Sequence, residues 1–147
     1  MSYDSVETGL LNVIQLHADY TSTNSSKGDY RILGAGISKG VVLTPGHFRR
    51  EISAAPRRIA WTWIVNMELF VPFRAELSSV ATDLRTMRQD LIDQIDPYPH
   101  LNDTSGVIDA FVESGGEPDL WQGENSRWWV QSLRVVIKER TTVTILD

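Results

Sequence analysis

The stretch Trp61 to Ile95 constrains this chain more than any other, because it asks for two element types in immediate succession. From Trp61 to Val71 the odd positions read Trp61, Trp63, Val65, Met67, Leu69 and Val71, with Thr62, Asn66 and Glu68 among the even ones. Alternation with period two predicts a half-buried strand. Pro72 cannot donate to a ladder and marks its end. The apolar spacing then changes, with Leu77, Val80, Ala81, Leu84, Met87, Leu91, Ile92 and Ile95 recurring every three or four positions. That stripe predicts an amphipathic helix of about five turns. A long strand followed by a long helix needs a shared core, and the simplest one lays the helix on the apolar face of the sheet.

The remaining segments are read around this pair. Residues 4–20 predict a first helix, capped by Asp4 or Ser5, with Val6, Leu10, Val13, Ile14 and His17 on one face. Gly9 inside it costs roughly 1 kcal/mol relative to alanine. Thr21–Gly28 is polar and predicts a loop, and Tyr30–Leu33 a short strand. Val41–Leu43 predicts a strand ended by a Pro45-Gly46 turn. Phe48, Arg50 and Ile52 alternate with Arg49 and Glu51, as an edge or hairpin arm would, before Ala54-Ala55-Pro56 leads into the main strand. Pro97 and Pro99 end the long helix near Ile95 or Asp96. A loop over Pro97–Thr104 and a short strand over Val107–Val112 follow, then a polar loop over Glu117–Asn125. Period two resumes over Trp128–Glu139, and Thr141–Ile145 extends that strand or begins a return. Val130 and Val136 fall among its nominally outward positions together with Trp128, which suits either a partner or local packing under the Glu117–Asn125 loop.

Two helices, four to six strands and no interdomain linker predict a single α+β domain over residues 1–147. Its sheet is mixed and largely antiparallel, with both helices on one face. The 147 residues, 41% of them apolar, suffice for one real core. Fourteen basic against nineteen acidic residues give a net charge of −5, which disfavours tight wrapping of nucleic acid by the whole surface. With no cysteine there is no disulfide scaffold, thiol nucleophile or thiolate metal site. Neither a signal peptide nor a run long enough to span a membrane is visible, so folding in a cytoplasm is expected.

Catalytic constellations are not marked. Gly34-Ala35-Gly36-Ile37-Ser38-Lys39-Gly40 matches neither dinucleotide nor phosphate-loop spacing. His17, His47 and His100 lack ligand spacing, and no G-x-S-x-G occurs. We therefore expect no catalytic residue, no metal and no cofactor. The informative cluster is basic: Arg49, Arg50, Arg57 and Arg58 flank the entry to the main strand, and guanidinium forks suit the acidic groups of a neighbour or phosphates equally. Opposite charge gathers in the tryptophan-bearing segment with Glu113, Glu117, Trp121 and Glu124, followed by Trp128. The two segments are candidate patches for contacts between subunits or with partners.

The whole order resembles the tail terminator, or tail completion, proteins of long-tailed bacteriophages, prophages and gene-transfer particles. The residues carrying it are Gly40-Val41-Val42-Leu43-Thr44-Pro45-Gly46, Arg58-Ile59-Ala60-Trp61-Thr62-Trp63-Ile64-Val65, the helix after Phe73, and Gly115-Gly116-Glu117-Pro118. Related neck proteins share the pattern. The resemblance implies a non-enzymatic virion protein that forms a ring, commonly a homo-hexamer, at the head-proximal end of the tail. Such a ring stops tube polymerisation, meets the tail-tube protein on one side and the neck or connector on the other, and passes DNA through its lumen without specific binding. Negative net charge would keep that lumen from trapping phosphate. Two other classes stay open: a small binding or adaptor domain using Trp121, Trp128 and Trp129, and a hydrolase with an unmarked polar site.

Overall fold

The structure, a computed structural model, describes residues 3–34, 36–54, 57–123 and 126–143. In chain order it contains α1 (Tyr3–Ile14), β1 (Ser25–Lys27), a 3-10 turn (Tyr30–Ile32), β2 (Gly40–Ala54), β3 (Arg57–Pro72), α2 (Leu77–Ile95), β4 (Val107–Gly115), β5 (Asp119–Gln122) and β6 (Arg127–Thr142). The six strands form one sheet in the order β1-β2-β3-β6-β4, with β5 also pairing β6. Among the described residues β1 and β2 run parallel and the other pairs antiparallel. The α+β architecture read from the sequence, two helices with a mixed and mostly antiparallel sheet, is the one observed.

The 61–71 alternation forms the middle of this sheet. β3 lies between β2 and β6, and its odd residues Trp63, Val65, Met67, Leu69 and Val71 face the helices. Leu10 and Ile14 of α1 and Val80, Leu84, Met87, Leu91 and Ile95 of α2 close this main core. A smaller cluster occupies the opposite face, where Leu33, Val42, Phe70 and Trp128 are buried beneath Tyr30, Ile37 and Trp121. Trp128 thus follows the local-packing reading, with β5 and the 30–37 segment as its cover.

Several segments depart from expectation for local reasons. The first helix ends at Ile14, not near residue 20, because His17 and Ala18 offer little to continue the apolar stripe. Gln94 Nε2 donates to the Val13 carbonyl, satisfying one of the acceptors the shortened helix exposes. Asp4 lies within its first turn and pairs with Lys27, so it is not the cap. Gly9 permits close packing, since a Cβ there would collide with Thr104.

The Thr21–Gly28 loop contains the three-residue β1, and the Tyr30 segment is a 3-10 turn capped by Asp29, which accepts from Arg31 N at 3.0 Å. Pro45-Gly46 is a bulge within one 15-residue strand, not a turn. β1 covers only Val41–Leu43, so the missing N–H of Pro45 sits at an open edge where a proline is tolerated. Finally, the 117–125 loop contains β5, whose Trp121 and Trp128 are opposite each other. Three successive left-handed residues, Leu101, Asn102 and Asp103, turn the chain into β4.

Candidate assembly surfaces

Pleating decides where the four arginines go. In β2 and β3 neighbouring residues point to opposite faces. Register pairs Arg50 with Trp61 and Ala54 with Arg57 on the helix side, while Arg49 and Arg58 fall on the bare face. The expected single cluster is therefore two pairs on the two faces of one arm. Arg50 places its guanidinium carbon 5.4 Å from the Trp61 ring, and Arg49 donates to Glu51 at 2.6 Å. Arg58 lines a shallow notch of about 350 Å³ with Ser53, Ala60, Arg140 and Glu51.

The arm itself arises from a mismatch of lengths. Sixteen residues of β3 span roughly 53 Å, whereas nineteen residues of α2 span roughly 28 Å. The helices cannot cover the whole strand, and beyond Trp61 the helix-side face of β2 and β3 is only partly covered. Trp61 and Trp63 stack 4.6 Å apart with their planes 5° from parallel, and Phe48 sits 5.7 Å from both. Trp63 is buried under Tyr3, but Phe48 is 59% exposed and Ile52 47%. These two apolar side chains were missed as site residues. The available signal was that period-two apolar positions continue for longer than two helices of these lengths can shield.

The acidic segment lies at the other end of the sheet. β6 pairs Thr142 with Arg58 at the arm and Trp128 with Pro72 at the far end, where β5 joins. Glu117 and Asp119 are exposed there, while Glu113 stands midway, 3.8 Å from Arg134. Trp121 stacks on Tyr30 at 5.5 Å, and Trp128, 3% exposed, is a core residue and not one offered to a neighbour. Glu124 lies outside the described residues. Trp121 and Trp128 also line a cleft of about 590 Å³ with Tyr30, Leu33, Ile37 and Arg127. The Tyr30 hydroxyl donates to Glu68 at 2.8 Å, and burial, then Glu68, pushes its pKa up to about 12.

The three histidines are apart. His47 faces Arg134 at 3.0 Å and His100 Nδ1 approaches the Val107 carbonyl at 3.0 Å. His17, Asp19 and Asp90 bring potential ligand atoms within 4.8 Å of one another. That cluster is already engaged: Lys39 donates to Asp19 at 2.8 Å and holds its pKa down, and His17 Nδ1 accepts from Asp19 N. Among the described residues no helix is long and apolar enough to cross a membrane. Compared with known protein families and with characterised proteins, the chain matches none.

Proposed function

We propose that this chain is a structural subunit of a long phage-type tail, forming a ring that ends tube polymerisation at the head-proximal end and joins the tube to the neck. One observation carries the reading: the arginine-bearing arm and the acidic segment stand at opposite ends of the same sheet. Rings close through heterologous contacts, in which one patch meets a different patch on the next copy. Opposite charge at opposite ends suits that requirement, and the resemblance in element order supports it. The reading assigns no catalytic step and no cofactor. It places the protein in the virion after assembly in a bacterial cytoplasm, with tube and neck proteins as partners and DNA passing through without specific binding.

The test is charge reversal. Arg57→Glu with Arg58→Glu is expected to abolish the ring in native mass spectrometry and its capture by tail tips. An unchanged ring mass would contradict the assignment of the arm to the subunit interface. A second reading, a small binding domain, is favoured by the aromatic cleft at Tyr30, Trp121 and Trp128. It predicts that Trp121→Ala removes the function while ring mass is unchanged.

A further inference from the structure

Five of the eight large apolar side chains that the described residues leave exposed fall into two patches. Phe48 and Ile52 lie on the arm, beside Arg50 and Arg57. Phe73, Leu77 and Leu120 belong to the far end, where α2 begins and β5 pairs β6. Leu120 is opposite Trp129, which stacks on Phe73 at 6.4 Å, so these three rings and side chains form a continuous surface. Arg127 lies 4.2 Å over the Phe73 ring. Leu120 is 46% exposed, and Leu77, which follows Phe73 closely at the start of α2, is 60% exposed. Glu76, next to Leu77, and Glu117, just before β5, are exposed, whereas Asp119 pairs with Val130 and turns to the opposite face from Leu120. Arg74 is paired with Asp83 at 2.7 Å.

We infer that the arm of one copy seats on the Leu77–Leu120 surface of the next, Phe48 and Ile52 supplying the apolar contact and Arg50 and Arg57 meeting Glu76 and Glu117. The occupant is a second copy because the chain itself provides both halves, matched in polarity and opposite in charge. Arm-on-arm pairing would set the arginines of two copies against one another, and pairing of the two far ends would do the same with carboxylates; like charges across a contact disfavour both. The patches are roughly 40 Å apart along β3, so one copy cannot satisfy both from within. The contact is therefore head-to-tail, and it propagates until a ring closes. This deepens the ring reading above and rests on it for closure, but the contact is separable from the role in tail completion.

The absence of cysteine makes the test direct. Ile52→Cys and Leu77→Cys, both at exposed positions, are prepared as single variants and treated with a short bifunctional maleimide, alone and mixed, in solution and after addition to terminator-deficient tails. The expected result is a covalent heterodimer in the mixture, little product from either variant alone, and a ladder of multimers from the double variant. Adding Leu120→Asp to the Leu77→Cys chain is expected to cut heterodimer yield at least tenfold. A homodimer of Ile52→Cys alone, the absence of any cross-link, or a yield indifferent to Leu120→Asp would each overturn the contact. Tails completed by the wild-type protein, with no cross-link between the Ile52→Cys and Leu77→Cys variants, would leave the terminator reading standing and the contact refuted. A cross-link without tail completion would do the reverse.

Discussion

Glu139 lies fully buried on β6, between Trp61 of β3 and Val107 of β4, and neither carboxylate oxygen has a partner among the described residues. Desolvation raises its pKa. A carboxyl whose folded pKa lies above its unfolded value favours the fold fully below the unfolded value and loses that contribution as pH rises through the folded one. Glu139→Gln is therefore expected to raise the melting temperature at pH 7, with the gain shrinking as pH falls toward 4. Thermal unfolding at the two pH values checks this, and an equal shift at both would show that charge burial is not the cause. Two other residues separate core from surface. Trp128→Ala should cost about 3–5 kcal/mol, as for other buried aromatics cut to alanine. Ile52→Ala should stay within about 0.5 kcal/mol in chemical denaturation of the isolated chain, because about half of the residue is already exposed to water there.

Among the elements, β2 carries the most consequential irregularity. The register shifts between Pro45 and Phe48, and a Cβ on Gly46 would lie 2.8 Å from the Ile64 carbonyl oxygen. Gly46→Val is thus expected to destabilise by about 1–3 kcal/mol, read from denaturant unfolding, through overpacking at the point where the arm leaves the core. A neutral effect would mean that the bulge is not held by this approach. The same element marks how far the sequence was legible. The long pair β3 and α2 could be read because each presents many periods of one pattern, although β3 begins at Arg57 and takes in the two arginines expected to precede it. β1 and β5, three and four residues long, carry too few periods to register and exist only because a longer strand provides the ladder. Pro45-Gly46 looked like a turn because local propensity says so; the open edge beyond Leu43, a tertiary fact, removed the penalty. The arginines were found by charge alone, but Phe48 and Ile52 required knowing where helix coverage stops.

At the scale of the molecule, the sheet is longer than its helical cover and differently charged at its two ends. On those two properties the proposed ring rests. Arginine–carboxylate contacts at a rim weaken with salt, whereas apolar anchors do not, so raising ionic strength should slow assembly more than it shortens the lifetime of a formed ring. Association and dissociation rates measured at two salt concentrations check that division. The central claim, that this chain ends a tail tube by closing a ring upon it, is tested most directly by adding purified protein to tubes polymerising without a terminator and measuring tube length by electron microscopy. The account predicts that growth stops and that each tube carries one ring of this protein at one end. Continued elongation with the protein left free in solution would contradict it.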